Sequence, residues 1–262
     1  MDLPIGALLR EWRQRRKLSQ LDLAIAAEVS SRHISFVETG RTIPSRAMVL
    51  HLAEHLDIPL GERNRLLMAA GHAPEFSRRE WDDPALAPAR DAVARVLRLH
   101  EPYPALAVDR RWNLVQANDC VRVFFDEVDP ALLEPPINMM RLGLHPKGFA
   151  NRLTNLAQVR SFLLPRLSRQ VTATGDPELA ALHQELSSYS EPPDARTPEP
   201  DPPAILLPIR LTHADVELAL FSTITTFGTA FDLTLDEIAV EAYFPADETT
   251  AAHLRRIARL RR

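Results

Sequence analysis

Three groups of side chains in this 262-residue sequence have the type and spacing to do chemistry. His51-Leu-Ala-Glu54-His55 spells H-x-x-E-H, the pattern in which two histidines one helical turn apart hold zinc and the glutamate activates water. No independent third ligand accompanies it, and the same residues suit the solvated or packing side of a short helix. Cys120 is the sole cysteine, which excludes an intrachain disulfide and any cysteine-based zinc cluster. It has no C-x-x-C partner, and Asp119 and Arg122 beside it do not make an obvious low-pKa thiol, so it reads as a buried helical thiol. The third group is cationic. Over residues 1–50, Arg10, Arg13, Arg15, Arg16, Lys17, Arg32, Arg41 and Arg46 outnumber Asp2, Glu11, Asp22, Glu28 and Glu38, while the whole chain carries a net charge of −4. A locally basic segment on an acidic chain points to a localised polyanion contact. A second basic run, Arg255 to Arg262, suits the C-terminal end of a solvated helix, where cations complement the dipole. No G-x-S-x-G, G-x-G-x-x-G or Walker loop is present, and no catalysis is expected. The enzyme alternative is a zinc hydrolase using His51, Glu54 and His55.

The elements that must carry these groups follow from periodicity. With 45% hydrophobic and 25% charged residues, the composition is globular and the length suits one large or two smaller domains. There is no apolar run long enough for a membrane span, and Met1-Asp2-Leu3-Pro4 lacks the pattern of a signal peptide. A cytoplasmic protein with no membrane partner and no obligatory cofactor is expected. Residues 5–70 read as five short helices: about 5–17, 20–27, one from Ser30, one from Pro44-Ser45, and about 62–70. Ser19 and Asp22 form a capping-box pattern, and Gly40 and Gly71 lie just past helix ends. The first domain therefore spans 1–72. Pro74, Pro84 and Pro88 mark a linker over 73–90, and the second domain spans 91–262.

A helix over about 88–100 links the halves or begins the second domain, and a hairpin follows, Leu106–Val108 with Trp112–Val115. Helical spacing returns over 118–125 and dominates 130–187, where Asp129-Pro130 and Asp176-Pro177 are cap-plus-first-turn pairs. Residues 188–203, rich in proline, form an extended loop. Strands follow over 205–211, 216–226 and 238–244, and Asp247 caps a last helix. The fold class is thus an all-α five-helix domain followed by an α+β domain whose strands are split by a helical insertion.

Leu18 to Gly40 closely resembles the helix-turn-helix of the XRE family, the relatives of phage Cro and C1 repressors. Gln20, Ala24, Val29, Ser30, Ile34, Glu38 and Gly40 sit where that pattern wants them, and Pro44 and Leu52-Ala53 to Leu56 extend the match to about residue 70. Ala24 is small where the two helices cross, and Ile34 and Val37 face the bundle. The resemblance implies base contacts from Ser30, Ser31, Arg32 and Phe36 in the major groove of an operator. Arg32 can reach guanine in a bidentate fashion, and Phe36 can meet a thymine methyl. It also implies phosphate contacts from Arg13, Gln20, Thr39, Arg41 and Ser45, which set register and affinity. The pattern's turn glycine is replaced here by Glu28, which in a left-handed conformation costs about 1–2 kcal/mol. The bland alternative is a helical protein-interaction bundle.

From about 90 to 255 the chain resembles the MmyB-like (MltR-type) ligand-binding domain. The resembling stretches are Tyr103 to Asn118, Asn138 to Pro146 and Gly175 to Leu182. The resemblance implies a PAS-like α+β fold and a small apolar ligand such as a fatty acid. Trp112, Met139, Met140, Phe162, Leu220 and Phe227 supply bulky, pliable surface that suits such a pocket and suits an ordinary core as well. Arg141 and His145, beside the apolar run, are the candidates for a carboxylate. Together the two resemblances imply a homodimeric transcriptional regulator, a repressor by family habit, since the residues do not decide the sign. The alternative keeps DNA binding and makes the second domain a dimerisation or protein-interaction module without ligand.

Overall fold

The computed structural model describes residues 3–77, 79–125, 127–189, 208–227 and 232–260. The chain divides into two units. The first comprises the chain up to Arg79 with Thr172–Thr174 and a stretch ending at Asp236, and the second holds the rest. The division falls between Arg79 and Glu80.

Serine caps set out most of the first unit. Helix α1 (Ile5–Arg15) precedes α2 (Gln20–Ala26), whose cap Ser19 accepts from the Asp22 amide at 3.1 Å while Asp22 accepts from the Ser19 amide at 2.8 Å. Ser30 caps α3 (Ser31–Glu38) through the His33 amide, and Ser45 caps α4 (Arg46–His55) through the Met48 amide. Each cap satisfies an amide that the helix leaves orphaned. Helix α5 (Leu60–Ala69) closes the bundle. Leu8, Leu9 and Trp12 of α1 share one core with Leu23 and Ala24 of α2, Ile34 and Val37 of α3, and Leu52 of α4. Gly6 permits the closest approach: a Cβ there would lie 2.5 Å from the Val37 carbonyl oxygen. Glu28, in the turn between α2 and α3, is left-handed with φ of 52°, so the chain carries the strain that glycine would avoid. Asn64 ties the following segment down, accepting from the Glu75 and Phe76 amides and donating to the Phe76 carbonyl.

The second unit begins with α6 (Ala87–Leu99) and a five-stranded sheet. Strands β1 (Ala105–Val108) and β2 (Leu114–Ala117) form the expected hairpin. Its second strand starts later than the sequence pattern indicates. Asp109 accepts from the Arg111 and Asn113 amides, and this turn holds Trp112 at φ of 68°, outside the ladder. A helical insertion follows: α7 (Arg122–Phe125), α8 (Met139–Leu144), α9 (Leu156–Thr174) and α10 (Pro177–Ser188). Asp176 caps α10 through the Glu178 amide, with Pro177 in the first turn. Strands β3 (Ile209–His213) and β4 (Val216–Thr226) come next. The short α11 (Leu233–Asp236), which belongs to the first unit, precedes β5 (Ala239–Pro245) and α12 (Glu248–Leu260). Asp247 caps α12 through the Thr250 amide at 2.7 Å. The loop expected over 188–203 and the start of the strand expected over 205–211 lie largely outside the described residues, as do Arg261 and Arg262.

The strands run in the order β2-β1-β5-β4-β3, every neighbouring pair antiparallel. Period-two alternation splits their side chains between two faces. Ala105, Ala107 and Val240 pack on Val93 and Leu97 of α6. Leu106, Val108, Leu211, Leu218 and Leu220 face the larger core built with α8, α9 and α10. The small face seats one helix, and the bulky face receives the insertion.

Candidate DNA-reading face and ligand cavity

On α3, Ile34 and Val37 are fully buried, which fixes the helix and turns Ser31 and Arg32 outward. Ser30 is exposed, and its hydroxyl is engaged as the helix cap. The Arg32 guanidinium lies 5.1 Å from the centre of the Phe36 ring, and that of Arg41 lies 5.6 Å from it. These two cations flank a half-buried phenyl ring, giving one surface with charge and apolar contact together. Thr39 and Ser45 are exposed next to Arg41 in sequence; the Thr39 hydroxyl donates to the Ser35 carbonyl at 2.7 Å, and the Ser45 hydroxyl caps α4.

Arg13 and Gln20 are placed differently from the expected phosphate contacts. Arg13 is buried and donates to the Glu38 carboxylate from Nε at 2.6 Å and from Nη2 at 2.9 Å. Its Nη1 donates to the Leu18 carbonyl at 2.7 Å. Gln20 donates to the same carboxylate at 2.8 Å, and Arg10 reaches it at 3.3 Å. Glu38 therefore joins α1, α2 and α3 at one buried point. Burial pushes its carboxyl up, but the hydrogen bonds from Arg13, Gln20 and Arg10 outweigh this and leave it below the usual glutamate range. A signal for this was present: Arg13 follows the buried Leu9 by four residues, so it shares the inward stripe of α1.

The H-x-x-E-H residues lie on α4. His51 Nε2 sits 2.7 Å from the Ala27 carbonyl oxygen, and the His51 and His55 rings meet edge to face at 4.7 Å. Among the described residues, no group of three or more His, Cys, Asp or Glu is arranged to hold a metal ion. Cys120 is half-buried in a 3-10 turn rather than buried in a helix.

In the second unit, the bulky face of the sheet and the insertion enclose a cavity of about 110 Å³. That is space for several water-sized groups. Met139, Met140 and Gly143 of α8, with Val159, Leu163 and Arg166 of α9, form one side. Leu106, Leu220, Glu241 and Tyr243 rise from the sheet, and Trp112 closes a further wall. Four of the expected ligand residues, Trp112, Met139, Met140 and Leu220, line it. The other four do not. Arg141 is turned away on α8 and grips Glu185 through two hydrogen bonds of 2.6 and 2.7 Å. Glu185 also accepts from the Tyr189 hydroxyl, and burial together with that carboxylate pushes Tyr189 up to about 12. His145 accepts from the Lys147 amide at 3.0 Å and meets the Tyr189 ring edge to face at 5.0 Å. Phe162 is 51% exposed, because its neighbour Leu163 takes the cavity side of α9. Phe227 packs with the cluster on the α6 face of the sheet.

Comparison with known proteins agrees with this architecture. The model of the MmyB-like transcription regulator ligand binding domain matches residues 89–257, more than half of the chain. The chain belongs to the MmyB-like transcription regulators. A helix-turn-helix domain model matches residues 4–66 of the regulator. Over 74 residues it is 40% identical to the uncharacterized HTH-type transcriptional regulator RghRB of Bacillus subtilis, covering 28% of this chain and 51% of that protein. Over 73 residues it is 37% identical to the uncharacterized HTH-type transcriptional regulator Rv0023 of Mycobacterium tuberculosis, covering 28% of each. The regulator thus spans about half the length of the first relative and about a quarter of the second.

Sequence reading missed the polar residues of the regulator's cavity, Arg166, Glu241 and Tyr243. Burial holds Glu241 above the usual glutamate range, although Ser222, Tyr243 and Arg166 pull the other way. Burial, then the Glu241 carboxyl, raises Tyr243 well above the usual phenol. The available signal was period two: Glu241 and Tyr243 alternate with Val240 and Ala242 in a strand that otherwise reads apolar. No described helix of the regulator is long and apolar enough to cross a membrane.

Proposed function

We propose that this regulator is a cytoplasmic homodimer that reads a double-stranded DNA operator through α3, and that a small apolar molecule in the cavity sets that binding. The observation that carries the reading is the recognition surface itself. Ser31 and Arg32 are exposed at the start of a capped helix whose back is buried, with Phe36 held between Arg32 and Arg41. A second copy is needed because one short helix reads few base pairs. Repression is the sign this reading expects, and no catalysis or obligatory cofactor enters it. The strand order 2-1-5-4-3 supports the PAS-like reading of the second domain.

An enclosed, largely apolar cavity favours a ligand, of which a fatty acid is one class, over a second domain that only dimerises. Solvent extraction of the purified protein followed by mass spectrometry separates these two. A ligand acts only through a difference in its affinity for two states of the dimer.

Selection of bound DNA from a random pool, at fixed salt, tests the reading. The wild type is expected to enrich a palindromic site. Arg32→Ala should relax one base per half-site, at a cost of about 1–3 kcal/mol per contact. Enrichment of the same site with unchanged preference would remove Arg32 from base reading. Enrichment of no site by protein both stripped of and supplied with lipid would remove DNA reading altogether.

A further inference from the structure

Arg166, Glu241 and Tyr243 are the polar side chains of an otherwise apolar cavity wall, and they converge on one place. Glu241 and Tyr243 stand two residues apart on β5, so they share the cavity face of the sheet. Ser222 lies opposite Tyr243 in the β4–β5 register, and both hydroxyls favour the charged form of the Glu241 carboxyl. Arg166 comes down from α9 and acts on the same carboxyl, with its guanidinium 4.8 Å from the centre of the Trp112 ring. Trp112 and Arg166 also line a second, more open cleft with Asp109, Gln170 and Glu237. Arg166 and Trp112 thus border both spaces, while Glu241 and Tyr243 line the buried cavity.

This deepens the reading of the cavity as a ligand site and rests on it. We propose that Arg166, Glu241 and Tyr243 are the headgroup end of that site, and that it holds a single-chain apolar molecule by an uncharged hydrogen-bonding end in preference to an ionised carboxylate. The charges decide this. Arg166 is the one cation among the described cavity-lining residues, and Glu241 already faces it. Among the described residues, the remaining groups against Glu241 bring no further positive charge: Leu106 pairs with it from β1, Ile224 from β4, and Tyr243 and Ser222 offer hydroxyls. A ligand carboxylate would set a second acid beside Glu241 where little water can screen it, and two such groups do not both stay ionised. An alcohol meets no such conflict. Its hydroxyl donates to Glu241 and accepts from Arg166 or Tyr243, while its chain lies among Met139, Met140 and Leu163. A fatty acid enters on the same terms as the protonated acid.

The test compares 1-decanol with decanoate on the full chain at pH 8, by calorimetry and by the fluorescence of the cavity tryptophan. Wild type is expected to bind decanol about tenfold or more tightly than decanoate, the equivalent of one pKa unit of penalty. Glu241→Gln removes the competing charge and should raise decanoate affinity about tenfold, leaving decanol nearly unchanged. Arg166→Leu should move the ratio the other way, and decides the matter with wild type if Glu241→Gln does not fold. Preference of the wild type for decanoate, or a ratio unmoved by either variant, would overturn the headgroup assignment and leave the cavity as a ligand site. Binding of neither compound to any of the three proteins would overturn the ligand reading of the cavity itself.

Discussion

Glu38→Ala is expected to destabilise the N-terminal bundle by about 3–5 kcal/mol, the usual cost of stranding a buried charge. The Glu38 side chain is fully buried, and that of Arg13 is 10% exposed. Removing the carboxylate leaves the Arg13 guanidinium without its hydrogen bonds of 2.6 and 2.9 Å and Gln20 without its acceptor. Against a total stability of about 5–15 kcal/mol for a domain, such a loss shows as a large drop in melting temperature. Urea unfolding followed by circular dichroism measures it. Arg13→Met combined with Glu38→Leu should recover most of the loss, because an apolar pair fills the space without an unpaired charge. A loss below about 1 kcal/mol for Glu38→Ala would show that the ion pair is dispensable.

The same pair predicts a direction with pH. Glu38 is depressed in the folded chain, so its contribution is fully present above the unfolded glutamate value, near about 4.3, and is lost as pH falls through the folded value. The stability gap between wild type and Glu38→Gln should therefore narrow below about pH 4.

Asn118→Leu is the second large effect, expected at about 2–4 kcal/mol in the C-terminal domain from the buried polar groups it strands. Asn118 is 4% exposed. It accepts from the Ala105 amide at 3.1 Å and donates to the Leu97 and Tyr103 carbonyls at 3.1 and 2.8 Å. One side chain thus fastens the end of α6, the approach to β1 and the exit from β2. Leucine has nearly the same bulk and none of these bonds, and the Ala105 amide would be left buried without its side-chain acceptor. Urea denaturation of the full chain reads the effect, and a variant within about 0.5 kcal/mol of wild type would contradict it.

The helical domain was legible because local signals fix it. Ser19 with Asp22, Ser30 and Ser45 spell helix starts, and Gly40 and Gly71 spell ends, within a few residues of where the chain places them. The strands were legible from alternation to a residue or two, except the one expected over 205–211, which the chain forms at Ile209–His213. Side-chain partners were not legible, because they depend on which faces meet. Helical spacing puts Arg13 on the inward stripe of α1 and Arg141 beside an apolar run, but it does not show that one is locked on Glu38 and the other on Glu185. The cavity was half legible: Met139, Met140, Trp112 and Leu220 fell within it by being bulky and near one another in the fold. Arg166, Glu241 and Tyr243 came from a helix and a strand far apart in the chain, and no single stretch shows them together.

The most direct test of the whole account joins the two domains. Gly143 lines the cavity, and a Cβ there meets nothing within 4 Å, so Gly143→Leu projects a side chain into the space a ligand would fill. Affinity for the selected operator at fixed salt is measured for wild type, Gly143→Ala and Gly143→Leu. The account predicts that Gly143→Leu alone changes it, by about 5–150-fold, the range of ordinary allosteric coupling, and no longer binds decanol. Loss of decanol binding with operator affinity equal in all three proteins would contradict the claim that the cavity governs DNA binding.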